Sequence, residues 1–196
     1  PDSSIQNYMP DFPEKEYKLK LSHLANQTSG LREATQSEEN WNGFNITLQK
    51  GIENFKNDPL QTTPDLYQIK SIYNYNLLGA IMEKATNSHF RNILKNYVTD
   101  TLKLTNTFID NPLATIKGRT DYYDHDFIAQ VINASSKDMR YRAPSQGLLS
   151  NAEDLVKFGN AILYSKLLSD ETKKTMFNTV RLYENIPSEM ANGWMI

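Results

Sequence analysis

Apolar residues recur at every third or fourth position in several stretches of the chain, a spacing typical of amphipathic helices. The stretches predicted as helices are residues 19–27, 46–57, 73–85 and 89–102. In the third stretch, Leu77, Leu78, Ile81, Met82 and Ala85 recur at helical spacing. The pattern therefore predicts a chain built mainly from helices.

Polar residues at the ends of apolar stretches predict where further helices begin or end. Ser150 and Glu153 have the spacing of a capping box, in which the serine hydroxyl accepts a backbone N–H and the glutamate bonds back. A helix is therefore predicted to begin there. Ser169 is predicted to cap a short helix, and Gly30 is predicted to end the first helix.

Segments with the pattern of strands are few. β-Branched and aromatic residues predict strands at 107–109 and 193–196. The second reaches Ile196 before any partner strand, so we expect an incomplete antiparallel sheet. Residues 57–65 contain two prolines and are predicted to form a turn-rich hinge.

The composition narrows the possible chemistry. The 196 residues include no cysteine, which excludes thiol catalysis, disulfides and cysteine-ligated metals. The 21 Lys and Arg nearly balance 23 Asp and Glu, so the sequence lacks the basic excess of a duplex nucleic-acid binder. No apolar run is long enough to cross a bilayer, and residues 1–4 have no signal-peptide pattern. We therefore expect no nucleic-acid partner and no transmembrane segment in this chain.

The histidines and acidic residues do not identify a site by themselves. The three histidines are not spaced as a metal-binding pair, so we expect no metal and no cofactor. His23 lies in an apolar helical stretch and is predicted to be a structural histidine. The acidic, aromatic segment 122–126 has groups that bind cations or sugars, but a solvated loop is the favoured interpretation.

Five segments in fixed order resemble serine β-lactamase-related proteins, the class C-like branch with its penicillin-binding carboxypeptidase and esterase relatives. Residues 21–31 resemble the family segment RHLLTHTSGL, and residues 64–84 resemble PG-x-x-F-x-YSN-x-x-YNLLGAIIEK. Residues 143–158 resemble PSGGLLSTAEDLAKF. Residues 5–12 resemble the family segment V-x-K-Y-L-P-E-F that precedes the first motif, and residues 192–194 resemble the GW strand that follows the last. The resemblance implies an α+β fold of the β-lactamase/transpeptidase type. It argues for the fold better than for activity, because each matched motif is partly a packing motif.

The resemblance also implies an active cleft between an antiparallel sheet and a mostly helical lobe. In this family the nucleophile is the serine of a Ser-x-x-Lys motif, and a Lys-Thr-Gly or His-x-Gly strand faces the acyl intermediate. Neither Ser-x-x-Lys nor Lys-Thr-Gly occurs in the sequence. We expect both motifs outside Pro1 to Ile196, which makes residues 1–196 the central portion of one domain, mostly its helical lobe, and inactive by itself.

The family's Tyr-Ser-Asn motif falls on Lys70, Ser71 and Ile72 when residues are counted from Pro64. Only the serine is retained. Lys70 acts as a base if desolvation lowers its pKa, whereas Ile72 cannot replace the hydrogen bonds of an amide. Tyr73 offers a phenol three residues further along. By resemblance, the candidate catalytic residues are Lys70, Ser71 and Tyr73.

The candidate substrate-binding residues come from the segment that resembles PSGGLLS. Ser145 and Gln146 precede Gly147 where the family has a double glycine, and the bulk of Gln146 is expected to narrow the cleft. Tyr141, just upstream, completes the set.

Two functions remain open. One is part of a Ser-x-x-Lys serine hydrolase that forms an acyl-enzyme with an amide or ester, namely a β-lactam, a D-Ala-D-Ala peptide or a small ester. The partner is then a small-molecule or peptide substrate. The alternative is a non-catalytic binding or scaffold relative, which the altered motif at Lys70 and Ile72 favours. The resemblance further implies an exported, periplasmic or cell-surface protein.

Overall fold

The computed structural model describes residues 1–41 and 47–196. The α-helices are α1 (Leu21–Ala25), α2 (Gln36–Glu39), α3 (Leu48–Ile52), α4 (Ile72–Thr86), α5 (Phe90–Leu94), α6 (Asp100–Leu102), α7 (Ala152–Tyr164) and α8 (Asp170–Met176). The strands are β1 (Phe108–Ile109), β2 (Tyr123–His125), β3 (Val131–Asn133), β4 (Leu148–Leu149), β5 (Met190–Ala191) and β6 (Trp194–Met195). Short 3₁₀ turns cover Ile5–Asn7, Arg140–Arg142 and Tyr183–Asn185. Helices combined with small antiparallel sheets confirm the α+β class.

Helix α4 confirms the helix predicted at 73–85 and lies at the centre of the core. Ser71 caps its start, with Oγ accepting a hydrogen bond from the Tyr73 amide at 3.2 Å. The helix ends at Thr86, and the following residue, Asn87, caps it with a left-handed φ of 49°. Its apolar face, with Leu77 fully buried, packs against α1 and α3.

The main core is formed by the N-terminal segment, the segments around α1 and α3, and α4. Its buried residues are Ile5, Met9, Phe12, Leu19, Leu24, Leu31, Leu48, Ile52, Phe55, Tyr73, Leu77, Ala80 and Ile81. Removing each large side chain from water contributes about 1.5–3 kcal/mol, so this cluster is the chief stabilising element. The Ile5 amide donates to the Leu19 carbonyl at 3.1 Å, which fixes the N-terminal segment over the helices.

The helical run predicted at 89–102 is confirmed with one irregularity. Helix α5 continues into a π-helical turn, Lys95–Thr99, and then into α6. Lys103 ends the run with a left-handed φ of 56°.

The first two predicted helices are shorter than expected. Helix α1 ends at Ala25 rather than at 27. Helix α3 runs only from Leu48 to Ile52, and turns replace its predicted last residues up to 57. The predicted start at Ile46 lies outside the described residues.

Gly30 does not end α1, so that prediction was wrong. It lies five residues beyond Ala25 with φ of 78°. A Cβ placed on Gly30 would lie 2.1 Å from the carbonyl oxygen of Thr62. The Gln61 amide donates a hydrogen bond to the Gly30 carbonyl oxygen at 2.8 Å. Glycine is needed there because the predicted hinge, residues 57–65, packs closely against it.

The predicted capping box at Ser150 and Glu153 was also wrong. The cap of α7 is Asn151, whose Oδ1 accepts the amide of Asp154 at 2.8 Å. Ser150 Oγ instead lies 2.8 Å from Thr107 Oγ1. Ser150 directly follows β4, and Thr107 directly precedes β1, the strand with which β4 pairs. The predicted cap at Ser169 is confirmed, since its Oγ accepts an amide at 3.1 Å.

The strands form three antiparallel pairs. β1 pairs with β4, as Phe108 faces Leu149. β6 pairs with β5, so the expectation that the last strand lacks a partner was wrong; the partner is the short segment immediately before it. β2 and β3 form an exposed hairpin where residues 122–126 had been expected to be a loop. Outward-facing strands lack the buried alternation by which sequence patterns reveal strands.

Across the described ranges, no helix is both long enough and apolar enough to cross a membrane.

Candidate active site

The turn at Lys70 and Ser71 sits immediately before α4. Ser71 is 1% exposed, and its hydroxyl donates to the Arg32 carbonyl oxygen at 2.5 Å while accepting the Tyr73 amide. Both sides of this hydroxyl are therefore used to hold the start of the helix. Ser71 fixes the turn and does not present its oxygen to solvent.

Lys70 is the member of the altered motif that reaches the surface. Its side chain is 56% exposed, and Nζ lies 3.5 Å from Oε2 of Glu189, which is 75% exposed. An ion pair this open to water adds little stability. The Glu189 amide donates to Gln68 Oε1 at 3.1 Å, which keeps the segment before β5 beside the turn.

Tyr73 points into the core and not toward the surface. Its ring stacks on Phe55 with centroids 4.2 Å apart and lies 5.2 Å from the Arg32 guanidinium carbon. Burial raises the pKa of its hydroxyl, and the nearby Glu38 carboxylate raises it further. Within the described residues, Oη has no hydrogen-bond partner. Tyr73 is thus separated from the exposed Lys70, although the two were predicted to share a site.

A charged cluster closes the buried side of Tyr73. Arg32 bonds both carboxylate oxygens of Glu38 at 2.8 Å and Asp58 Oδ2 at 2.6 Å. The bidentate bond from Arg32 lowers the pKa of Glu38 to about 2, so Glu38 stays ionised at neutral pH. This cluster holds residues 32–38 against the core.

The segment before β4 packs against the middle of α4. Ser145 Oγ donates to Asn76 Oδ1 at 2.9 Å and lies 3.0 Å from the carbonyl oxygen of Arg142. The Gln146 amide donates to the same carbonyl at 2.9 Å, and its side chain is exposed. Of the candidate substrate-binding residues, Gln146 is therefore the one that presents its side chain to solvent.

Gly147 has a conformation that only glycine adopts without strain. Its φ is 120°, and a Cβ there would lie 2.8 Å from Met139 Cβ. Its carbonyl oxygen accepts the Asp110 amide at 2.8 Å, and the buried Asp110 carboxylate accepts Arg119 Nη2 at 2.8 Å. Sequence reasoning did not identify this support, because Asp110 and Gly147 are distant in the chain.

Tyr141 is buried against neighbouring side chains and leaves almost none of its surface exposed. Its ring meets Trp41 edge to face at 5.2 Å, and a Cβ at Gly51 would lie 2.6 Å from its carbonyl oxygen. Burial raises its pKa. The structure therefore places Tyr141 in the contact between α3 and the 3₁₀ turn Arg140–Arg142.

Helix α4 is the element that brings the two candidate segments together. Lys70 and Ser71 precede its first turn, and Ser145 bonds to Asn76 in its second turn. A Cβ at Gly79 would lie 2.2 Å from Pro144 Cγ, so glycine permits this close approach. Helix α4 therefore has the exposed Lys70 before its first turn and the segment around Ser145 bonded to its second turn.

A buried polar network supports the turn, and sequence reasoning missed it. Gln27, Ser29 and Asn74 are all buried; Asn74 accepts a hydrogen bond from Ser29 Oγ and donates one to Gln27 Oε1. Asn74 falls on the same helical face as Leu77 and Ile81. A polar residue on an apolar face was the signal that would have identified this network.

The histidine prediction agrees with the structure. His23 is buried, its Nδ1 accepts the Lys20 amide at 3.2 Å, and Nε2 lies 3.3 Å from Asp65 Oδ2. The bond from His23 lowers the pKa of Asp65. Among residues 1–41 and 47–196, no cluster of three or more His, Asp or Glu side chains is suited to holding a metal ion.

Comparison with known proteins gives a match over the whole chain. The family model described as Beta-lactamase matches residues 1–196. The chain is 25% identical over 232 aligned residues to the human "Serine beta-lactamase-like protein LACTB, mitochondrial", covering 83% of this chain and 42% of that protein. It is 22% identical over 211 residues to "Penicillin-binding protein 4*" of Bacillus subtilis, covering 100% of this chain and 46% of that protein. The chain thus spans less than half the length of these relatives.

A solved structure has the same fold. A D-stereospecific amidohydrolase from Streptomyces sp. superposes with a TM-score of 0.80 over 98% of this chain and 62% of its own chain, at 20% identity. This likeness establishes the fold of the β-lactamase/transpeptidase type.

Proposed function

Because the chain belongs to the Beta-lactamase family, we propose that it supplies the helical lobe and one cleft wall of a serine hydrolase that works through an acyl-enzyme. Residues 1–196 are then the central portion of one domain, and the Ser-x-x-Lys helix and Lys-Thr-Gly or His-x-Gly strand come from outside Pro1 to Ile196. The proposed substrate is an amide or ester, such as a β-lactam, a D-Ala-D-Ala peptide or a small ester.

The observation that carries this proposal is the packing of two family-like segments on one helix. The turn at Lys70 precedes α4, and Ser145 bonds to Asn76 on the same helix at 2.9 Å. A cleft wall needs such a rigid element, because the reacting groups must be held within a fraction of an ångström. Here the wall rests on the main core through the buried Leu77.

The proposed chemistry assigns separate roles to the candidate residues. The external serine oxygen attacks the substrate carbonyl carbon, its proton passes to a base, and the bond to the leaving nitrogen or oxygen breaks. Lys70, standing at the tyrosine position, donates a proton to that leaving atom and regains one from water during deacylation. Ser71 holds the turn, and Gln146 and Gly147 line the substrate side. Tyr73 and Tyr141 are left to packing because both are buried.

The test uses the full-length protein, including the segments outside this chain. We expect a fluorescent penicillin or an aryl ester to acylate the serine of its Ser-x-x-Lys motif, detected as a mass increase on that peptide. Lys70→Met is expected to slow acylation or ester turnover by about 100-fold, the usual contribution of a proton-transfer group. Lys18→Met, at another exposed lysine, is the matched control and should leave the rate unchanged.

A non-catalytic binding relative is the second candidate, and the altered motif favours it. Ile72 stands where the family has an asparagine, and its side chain packs against the core without a polar group to offer. Full-length protein that binds penicillin or a D-Ala-D-Ala peptide in calorimetry, without acylation or ester hydrolysis, would establish this alternative.

An exported location is also only a proposal. The bacterial penicillin-binding relative supports it, whereas the name of the human relative places that protein in mitochondria.

A further inference from the structure

One buried residue, Gln27, bonds to the chain on both sides of Lys70. Its carbonyl oxygen accepts the amide of Ile69 at 2.9 Å, and its side-chain Oε1 accepts the amide of Ser71 at 2.9 Å. The Ser71 amide also donates to the Ile69 carbonyl at 2.8 Å, which closes a tight turn around Lys70. The backbone of Lys70 is therefore enclosed by bonds to a single distant residue.

The side chain of Gln27 is itself fixed. Oε1 accepts a second bond, from Asn74 Nδ2 at 2.6 Å, and Asn74 Oδ1 accepts Ser29 Oγ at 2.5 Å. Ser29 Oγ in turn accepts the Leu31 amide at 3.0 Å. All the side chains in this chain of bonds are buried, where hydrogen bonds are strong and unsatisfied groups are penalised.

The backbone of Gln27 has an unusual conformation. Its φ is 61°, in the left-handed region that a residue with a long side chain rarely adopts. Such conformations persist where the surroundings over-determine them, and they concentrate at functional sites. Here the conformation directs the carbonyl oxygen to Ile69 and the amide oxygen to Ser71.

We propose that Gln27 is a positioning residue that sets the location of Lys70 at the cleft wall. This inference rests on the proposed function for its catalytic meaning, but the control of the turn by Gln27 can be measured without any activity. A base or acid that is misplaced by about 1 Å loses much of its effect, so the position of Lys70 matters to turnover.

The first measurement is amide hydrogen exchange in the full-length protein. Gln27→Met removes the acceptor at nearly the same size, and Gln27→Asn suits the left-handed backbone but retracts the oxygen by one methylene. In both variants we expect the backbone amides of the peptide containing Ile69 to Ser71 to exchange about threefold to tenfold faster. The increase is moderate because the Ser71 amide loses one neutral hydrogen bond but keeps the Ile69 carbonyl as a second acceptor. Peptides from α7 should be unchanged. Gln61→Met, at an exposed glutamine, is the matched control.

The second measurement is steady-state hydrolysis of an aryl ester. Gln27→Met and Gln27→Asn are expected to lower kcat by about tenfold to 100-fold with KM changed by less than about twofold, because the loss falls on the reacting geometry. Gln27→Glu keeps two oxygens for the Ser71 and Asn74 donors and should restore both the exchange rate and most of kcat. If the glutamine merely fills space, Gln27→Met should leave both the exchange rate and kcat unchanged, because methionine has nearly the same size.

The outcomes separate the two proposals. Unchanged exchange around Lys70 in both variants overturns the role of Gln27 whatever the activity. Faster exchange with normal kcat, in an enzyme that Lys70→Met impairs, also overturns it, since the turn then moves without consequence. Faster local exchange in a protein that shows no hydrolysis supports the control of the turn by Gln27 and counts against the proposed hydrolase. If Gln27→Met does not fold, the exchange and hydrolysis measurements on Gln27→Asn test the proposal instead.

Discussion

At the scale of single residues, the two tyrosines among the candidate site residues are both buried. Tyr73 and Tyr141 are each almost completely buried, and both have raised pKa values because burial disfavours the phenolate. A phenol that must exchange protons with a substrate needs contact with it. Of the three candidate catalytic side chains, only that of Lys70 lies at the surface; Ser71 and Tyr73 are buried.

Tyr73→Phe tests this assignment directly. The Tyr73 hydroxyl is buried and has no hydrogen-bond partner in the part of the chain that the structure describes, so its removal should raise the free energy of unfolding by up to about 1–3 kcal/mol. Urea denaturation measures this, and ester turnover by the full-length protein should stay at the wild-type rate. Tyr73→Ala is the contrasting variant, expected to lose about 3–5 kcal/mol because the ring packs against Phe55. A large fall in turnover for Tyr73→Phe in a stable protein would return Tyr73 to the catalytic set.

At the scale of elements, α7 shows how one residue decides a helix start. Asn151 caps the helix by accepting the Asp154 amide at 2.8 Å, whereas Ser150 bonds the hydroxyl of Thr107 at the end of the β1–β4 pair. Asp154 is buried and accepts the Asn106 amide and the Thr107 hydroxyl, which ties the helix to β1. The cap therefore contributes to the docking of α7 as well as to its first turn.

We expect Asn151→Ala to destabilise the protein by about 1 kcal/mol, the usual loss for a helix N-cap. Ser150→Ala is the matched control and should lower stability by less than half as much, because its only close side-chain bond is exposed. The two midpoints of urea unfolding give the comparison. Equal losses would mean that the serine acts as the cap in solution.

The sequence predicted α4, α7, α8, β1 and β6, but it overestimated the lengths of α1 and α3 and missed the hairpin of β2 and β3, for physical reasons. Helix α4 has apolar residues at helical spacing and is four turns long, which is enough for the pattern to predict it. The strands have only two or three residues, too few to display alternation, and β2 and β3 are exposed on both sides. Gly30 could not be placed because its reason, the close carbonyl of Thr62, lies 32 residues away in sequence.

The candidate site likewise contains some residues that the sequence could predict and others that it could not. Ser145 and Gly147 are recognisable in sequence because they belong to a contiguous motif. Gln27 and Asp110 are not, since each acts through bonds to distant residues that only the folded chain brings near. Position along the sequence cannot reveal that Lys70 is exposed while Tyr73, three residues later, is enclosed.

At the scale of the whole molecule, α4 joins the main core to the proposed cleft wall. Leu77 is buried in the core, Asn76 bonds Ser145, and Lys70 stands before the first turn. A change at the altered motif therefore affects packing and surface chemistry together. Ile72 contributes to packing through its contact with the core, and Lys70 contributes to the surface chemistry.

Restoring the family motif tests whether the site is degraded or adapted. Lys70→Tyr with Ile72→Asn returns the phenol and the amide, and we expect acylation of the full-length protein by a fluorescent penicillin to rise at least about tenfold if the fold still supports the family chemistry. Asparagine at 72 replaces a side chain packed against the core, so unfolding is expected to become easier by about 1–3 kcal/mol.

The matched control is Lys70→Phe with Ile72→Asn, which has the same ring without the hydroxyl and should gain nothing. A rise in both double variants would show that the lysine charge or Ile72, and not the missing phenol, limits acylation. A loss of acylation in the Tyr variant alone, with folding intact, would mean that this wall has been rebuilt around an ammonium, because Gln27 and Ser71 hold residue 70 in a turn suited to Lys70.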